Sequence, residues 1–451
     1  MKSLIAKLLS AVVVVFFSFT VPQETTPETA LESYLHNGDK SFAWEVKETI
    51  SFPGGKAYDI LLTSQQWREH TWRHQLTVIV PDENKHDGAL LFITGGSVKE
   101  GQPNWSNTKK DDMIRALGMI ALKNKAIVAQ VRQTPNQPLY GDRTEDALIS
   151  YTLHQFKNDG DYSWPLLFPM VKSAVRAMDA IQALGKETLH HDINRFVVSG
   201  ASKRGWTTWL TGANDPRVAA IAPMVIDVLN MPVNLDYQMK AWNEYSPQIQ
   251  DYVSLEIPQT VHSPKGDAIT KMIDPYSYRQ KLTMPKMIFM GTNDEYWTVD
   301  AIKHYYDQIP GKNLIHYVPN VGHNLGDKRQ ALEALSAFFG FTLNNRPYPA
   351  CEWSVKTRKK KVKVSVKATA DLLEEAIVWS ASSRDMHFDK AKWEGRSLDV
   401  KGKDVVKVEE ELPKMGFRAF YIDLKYKDPN GGTYVQSTRM FLTDKNELKL
   451  H

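Results

Sequence analysis

Apolar and polar positions along the chain fall into three textures. Over residues 42–94, runs such as FAWEVKETISF, AYDILLTSQQW, QLTVIVP and ALLFITG are apolar or alternate at every second position. Turn-forming groups, Pro53-Gly54-Gly55 and Asp82-Glu83-Asn84, separate them. This periodicity predicts an antiparallel meander.

Strand-like and helix-like runs then alternate. KKDDMIRALGMIAL, FPMVKSAVRAMDAIQAL, RGWTTWLTGA, AIKHYYDQI and KRQALEALSAFFGF carry helical spacing, whereas KAIVAQV, RFVVSG, AAIAPMV, KMIFMGT and NLIHYVPN read as short strands. A meander feeding such an alternation predicts an α/β sheet covered on both faces. One interval, 229–283, breaks the rhythm and is rich in Tyr, Trp, Gln and Pro. A connection of that length in a compact domain is usually functional, and it reads as a helical cap over the carboxyl edge of the sheet. Beyond residue 350 the period is two again, in KKKVKVSVKATA, EEAIVWSASS, KDVVKVEEELP, FRAFYIDLKY and TYVQSTRMFLT, with Asn430-Gly431-Gly432 as a hairpin turn. These runs predict an antiparallel β-sandwich whose lysines mostly face solvent.

The amino terminus has a different pattern. Lys2 and Lys7 precede an apolar run over 8–21, the shape of a secretory leader with cleavage expected near Ser18-Phe19-Thr20. The run is about fourteen residues, short of the roughly twenty a spanning helix needs, although an uncleaved anchor is the alternative. The organisation read from the pattern is a signal peptide at 1–21, a tether and extension at 22–41, an α/β domain at 42–348 with the cap at about 229–283, and a β-sandwich at 349–451.

Composition narrows the class. A chain of 451 residues exceeds one ordinary core. Hydrophobic content of 42% and charged content of 24% are those of a folded protein. A net charge of +4 argues against nucleic-acid binding by bulk electrostatics. Cys351 is the single cysteine, so neither an internal disulfide nor a Cys-rich metal site can form. There is no HExxH, no Gly-x-Gly-x-x-Gly and no P-loop, so no metal or nucleotide cofactor is implied.

The chemistry concentrates in RFVVSGASKRGWTTWL. Gly200, Ser202 and Gly205 stand where a strand turns into a helix, a place that lifts a serine hydroxyl clear of a sheet edge. The usual spacing is Gly-x-Ser-x-Gly, and here the second glycine comes one residue later. A nucleophilic serine needs a base, and the base needs an orienting carboxylate, in the chain order Ser, acid, His. Asp294 follows the strand KMIFMGT, and His323 follows NLIHYVPN in a loop flanked by glycines. Both lie at strand carboxyl ends, where open α/β sheets place their sites. Glu295 and Asp227 are alternative acids. The amide of Lys203 and those of Gly95 and Gly96 in LFITGGS are the candidate donors for a developing oxyanion.

Lys203 and Arg204 occupy a helix start, where each cation costs about 0.3–1 kcal/mol if exposed. Either they pair with cap acids such as Glu244 or Asp236, or they recognise an anionic group of the substrate. Aromatic residues crowd the predicted loops. Trp206 and Trp209 read as core, whereas Trp297, Trp242 and Arg204 are candidate substrate contacts, as is Tyr140 in the polar loop QTPNQPLYGDR. Asp142 and Arg143 in that loop are a candidate ion pair.

TSQQW, FITGGS, QTPNQPLYGDR, GASKRGWTTW, MGTNDEYW and VPNVGHNL together resemble the PhoPQ-activated pathogenicity-related protein family, from about residue 30 onward. The resemblance implies an exported protein of α/β-hydrolase fold, with Ser202, Asp294 and His323 in the catalytic positions. The turn Gly-x-Ser-[basic]-x-Gly is also similar to that of glucuronoyl esterases. The expectation is a serine hydrolase acting on a small-molecule or polymeric ester, with an amide second. It would be periplasmic or secreted, touching membrane only through an uncleaved leader. The rival is a secreted binding or signalling protein on the same scaffold with a vestigial site.

Overall fold

The computed structural model describes residues 24–400 and 402–450, so the expected leader at 1–21 lies outside the described residues. A short helix, α1 (Ala30–Leu35), occupies the expected tether region; it buries Leu31, and its Tyr34 hydroxyl donates to Gln65 Oε1 at 2.8 Å. The meander follows as β1 (Ala43–Phe52), β2 (Gly55–Trp67) and β3 (His70–Pro81). Next come β4 (Gly88–Ile93), a small hairpin of β5 (Val98–Lys99) and β6 (Gln102–Pro103), α2 (Asp112–Asn124) and β7 (Ile127–Val131). Two helices, α3 (Glu145–Asp159) and α4 (Leu167–Leu184), lead to β8 (Arg195–Ala201), α5 (Lys203–Asn214) and β9 (Val218–Met224). The α/β part closes with β10 (Lys286–Gly291), β11 (Asn313–Val318) and, after the helices of the cap, α9 (Arg329–Leu343).

The strands β7, β4, β8, β9, β10 and β11 lie side by side in that order, all parallel. Every residue of β4, β7 and β10 is buried, as expected of strands covered on both faces. The pleat sends Ala89, Leu91 and Ile93 to the face packed by α4 and α5, and Leu90 and Phe92 to the face packed by α2 and α9. The chain leaves β4 for β7 on one side and returns to β8 on the other. That reversal is a topological switch point, and it leaves a crevice at the carboxyl ends of β4 and β8.

Between β9 and β10, the interval read as a cap holds α6 (Met231–Trp242), α7 (Gln250–Val253) and α8 (Pro264–Ile273), joined by 3-10 turns. Pro232, Pro247, Pro258 and Pro264 open successive turns at first or second positions, where a missing N–H costs nothing. Two expectations need correction. The stretch AIKHYYDQI is two short 3-10 turns, Ala301–His304 and Tyr306–Gln308, and not an α-helix. The helix α3 has no counterpart among the predicted elements, because Ser150 and Thr152 are buried among its apolar positions and blur the period.

The carboxyl-terminal strands are β12 (Cys351–Arg358), β13 (Lys361–Ala368), β14 (Leu373–Ser383), β15 (Glu394–Leu398), β16 (Val405–Glu411), β17 (Phe417–Lys427), β18 (Thr433–Ser437) and β19 (Phe441–Asp444). They build two antiparallel layers. One of them continues the central sheet: β18 pairs with β11 at Ile315 and Ser437, and β17, β14 and β15 extend it. An otherwise open strand edge is thereby covered. The other layer, β12–β13–β16, packs Val362, Val364 and Val408 against Val378, Phe420 and Ile422. Its exposed lysines, Lys361 and Lys363, pair with Glu409 across the strands. Among the described residues no helix is long and apolar enough to cross a membrane.

Candidate active site

Ser202 stands between β8 and α5 with φ 58° and ψ −127°. A non-glycine backbone there costs on the order of 1–3 kcal/mol and persists only where the surroundings over-determine it. Here they do. Ser202 N donates to Met224 O on β9 at 2.9 Å, and Trp206 N donates to Ser202 O at 2.9 Å. A Cβ on Gly200 would lie 2.8 Å from both the Cβ and the carbonyl oxygen of Arg204, and one on Gly205 would lie 2.6 Å from Met224 O. The second glycine is displaced by one position because the third helical residue, not the second, meets the end of β9.

His323 bridges the serine to a carboxylate. Its Nδ1 lies 2.9 Å from Asp294 Oδ2 and 3.1 Å from Oδ1, and its Nε2 lies 2.9 Å from Ser202 Oγ. With Nδ1–H donating to the carboxylate, Nε2 is left to accept the serine proton. The loops after β10 and β11 are stitched together: Asn293 N donates to Val321 O at 3.0 Å and Asn320 N to Thr292 Oγ1 at 2.8 Å. Tyr296 stacks on the His323 ring at 4.0 Å. The alternative acids are engaged elsewhere. Glu295 accepts the His323 amide at 3.2 Å, and Asp227 accepts the Tyr305 hydroxyl at 2.7 Å. Burial pushes the Asp227 carboxyl up to about 8.

The loop after β4 is oriented from outside. Thr134 N donates to Thr94 O and Gln133 N to Gly95 O, each at 3.2 Å, and Gln137 Nε2 donates to Gly96 O at 3.1 Å. In a trans peptide the C=O and the following N–H point in opposite directions, so the amides of Gly95, Gly96 and Ser97 are turned away from the 133–137 loop. Neither Gly95 N, Gly96 N nor Lys203 N makes a hydrogen bond among the described residues.

The cations at the start of α5 face a partner that sequence reasoning missed. Arg204 donates Nη1 and Nη2 to the two oxygens of Glu145, each at 2.7 Å, and Nε to Thr134 O at 2.6 Å. Lys203 Nζ lies 3.0 Å from Glu145 and 3.1 Å from Asp146. The acids open α3, the favourable end for negative charge, and they supply from a neighbouring helix what the start of α5 lacks. Burial opposes ionisation of Glu145, but Arg204 and Lys203 outweigh it and hold the carboxyl down at about 2. The signal in the sequence was the adjacent Glu145-Asp146 pair closing the long loop after β7. Of the cap acids considered, Asp236 faces His262.

Several expected substrate contacts lie elsewhere. Arg204 is 9% exposed with its guanidinium committed to Glu145 and Thr134, so it is not free to read a substrate. Tyr140 packs against Trp67, His70, Tyr151 and Trp164, away from Ser202. Arg143 does not pair with Asp142; it donates to Tyr140 O and lies over the Tyr151 ring. Trp242 stacks on His387 at 4.8 Å and donates to Met386 O at 3.1 Å, tying the cap to the carboxyl-terminal layer. It lines a small cavity of about 20 Å³ behind Asp294. Trp297 lines both that space and a cavity of about 90 Å³, which opens on Ser202 and His323 beneath the cap. Among the described residues no group of three or more His, Cys, Asp or Glu is arranged to hold a metal ion.

Six parallel strands in this order, a serine on the turn after β8, and an acid and a histidine after β10 and β11 define the α/β-hydrolase fold. The chain belongs to the PhoPQ-activated pathogenicity-related protein family, whose model matches residues 31–389. It is 28% identical over 459 residues to autocrine proliferation repressor protein A of Dictyostelium discoideum, covering 94% of this chain and 89% of that one. Among solved structures, it is similar to acetyl xylan esterase 1 from a Thermoanaerobacterium species, with TM-score 0.49, 18% identity, and coverage of 70% of this chain and 94% of that one. Glucuronoyl esterase from Solibacter usitatus gives TM-score 0.40 at 11% identity, covering 72% of this chain and 99% of that one.

Proposed function

We propose that the protein is an exported serine hydrolase acting on carboxylic esters, with amides as the second substrate class. The observation that carries this reading is the continuous hydrogen-bonded line from Ser202 through His323 to Asp294. Ser202 Oγ attacks the acyl carbonyl while His323 Nε2 takes its proton. Asp294 holds the imidazole and stabilises its positive charge. The amides of Lys203 and of Gly95 or Gly96 receive the oxyanion. His323 returns the proton to the departing alkoxide, then activates a water that cleaves the acyl-enzyme. The substrate is a small molecule or a polymer ester and not a nucleic acid. The protein acts in the periplasm or outside the cell.

The test is labelling with a fluorophosphonate probe, run beside turnover of p-nitrophenyl esters and aminoacyl anilides. Wild type should label and turn over esters faster than anilides. Ser202→Ala should not label and should lose at least about 10³-fold in kcat/KM. A folded wild type that fails to label, or a Ser202→Ala protein that labels equally, would sink the reading. The name of the Dictyostelium relative favours a second reading, an extracellular signal on a hydrolase scaffold. Biological activity that survives Ser202→Ala would select it.

A further inference from the structure

The cavity beneath the cap is walled by hydrocarbon from several elements: Leu153 of α3, Trp206 of α5, Val228 after β9, Leu235 of α6, Val261 before α8 and Ile273 of α8. Four of the polar side chains on its wall are already committed to protein partners. Trp206 Nε1 donates to Ile273 O at 2.5 Å, and the Tyr252 hydroxyl donates to Asp146 at 3.0 Å. Lys203 and Asp146 satisfy each other at 3.1 Å. A hydroxyl-rich group placed here would give up water and find few donors or acceptors in return. An anionic group would find its two nearest cations already neutralised by Glu145 and Asp146.

We infer that this cavity receives a short aliphatic chain of the substrate, so the enzyme selects esters by an apolar acyl or alkoxy group and not by sugar hydroxyls or charge. The inference rests on the serine-hydrolase reading above. The size sets the length. A dry apolar cavity of about 150 Å³ accepts benzene. The space here, about 90 Å³, is smaller than that and suits a chain of roughly three or four carbons. Its opening onto both Ser202 Oγ and His323 leaves two sources for the chain, the acyl side and the leaving-alcohol side.

The experiment is two substrate series on the full folded chain: p-nitrophenyl acetate to octanoate, and methyl to hexyl acetate. Each methylene entering the cavity should raise kcat/KM about fourfold, up to about four carbons, after which the rise stops. A rise in the first series assigns the cavity to the acyl group, and a rise in the second assigns it to the alcohol. Leu235→Trp fills the space and should bring the ratio of butyrate to acetate turnover toward one. Val261→Phe fills it from another element, so the test survives if one variant misfolds; circular dichroism and a thermal melt check each. Flat or falling rates from acetate onward in both series overturn the inference, as does an unchanged ratio in both folded variants. If flat rates accompany labelling that depends on Ser202, the hydrolase reading stands and only the apolar selection fails. If no ester is cleaved and no labelling occurs, both fall together.

Discussion

The serine and its acid–base partners are held in different ways. The serine end is held by charge and by close packing: a part-buried fork from Arg204 to Glu145, a second cation at Lys203, and a strained backbone pinned between Gly200, Gly205 and β9. The acid–histidine end is supported by neutral contacts from distant parts of the chain. Asn293 Nδ2 donates to Ala391 O at 2.7 Å and to Phe388 O and Asp389 O at 3.1 Å. Asn320 Nδ2 donates to Trp393 O at 3.0 Å, and its Oδ1 accepts Trp393 N at 2.8 Å. From the cap, Gln238 donates to Tyr296 O at 2.9 Å and Ser246 to Glu295 O at 2.8 Å. The segment between β14 and β15 thus buttresses the loop that bears Asp294. The carboxyl-terminal layer thus braces the site, although none of its residues lines the cavity that opens on Ser202.

Three perturbations separate the two ends. The largest effect on stability should come from Arg204→Gln, which leaves Glu145 part-buried without its fork. A loss of about 2–3 kcal/mol is expected, below the roughly 3–5 kcal/mol of a fully buried broken pair because Glu145 is part-exposed. A denaturant melt reads it. Asn293→Ala should cost less, about 1–2 kcal/mol, but should lower kcat about tenfold with KM little changed, because it frees the Asp294 loop. If Asn293→Ala lowers stability as much as Arg204→Gln and leaves kcat intact, the contrast between the ends is wrong.

In the pH dependence the two ends have opposite signs. Glu145 is held at about 2 against an ordinary 4.5, so the stability from its ionisation is fully present above about 4.5 and is lost as pH falls toward 2. Asp227, beside the small cavity behind Asp294, is raised from 3.8 to about 8. The folded state therefore keeps a proton that the unfolded state releases, and stability falls as pH rises from about 4 through 8. Scanning calorimetry should show Glu145→Gln flattening only the rising limb of stability between about pH 2 and 4.5, and Asp227→Asn flattening only the falling limb between about pH 4 and 8. Either variant altering the opposite limb would contradict the assignment.

Much of the site was legible in the sequence because its members carry local signals. Ser202 lies between glycines at a strand-to-helix transition, and Asp294 and His323 each follow an apolar strand run. Chain order and strand ends then bring the three together. Glu145, the stacking of Tyr296 on His323 and the Trp242–His387 contact were not legible. Each depends on which elements become neighbours, and no periodicity records that. Arg204 shows the limit most clearly: a cation two residues past Ser202 reads as either a paired structural charge or a substrate contact until α3 is seen to deliver the Glu145 carboxylate to it.

The same division holds for the fold. Period two beyond residue 350 established strands and which of their faces are apolar, since side chains alternate across a strand whatever it pairs with. It did not establish the partner. Only the tertiary structure decided that β18 joins β11, because strand pairing is made by backbone groups that every residue carries and is selected by the packing of whole faces. The sequence by itself determined most of the strands and helices and the chain order of Ser202, Asp294 and His323 at strand ends. The tertiary structure decided what neutralises Lys203 and Arg204, what braces Asp294, and that the space above Ser202 is apolar. These are properties of distances between segments far apart in the chain, and they come into existence only when the chain has packed.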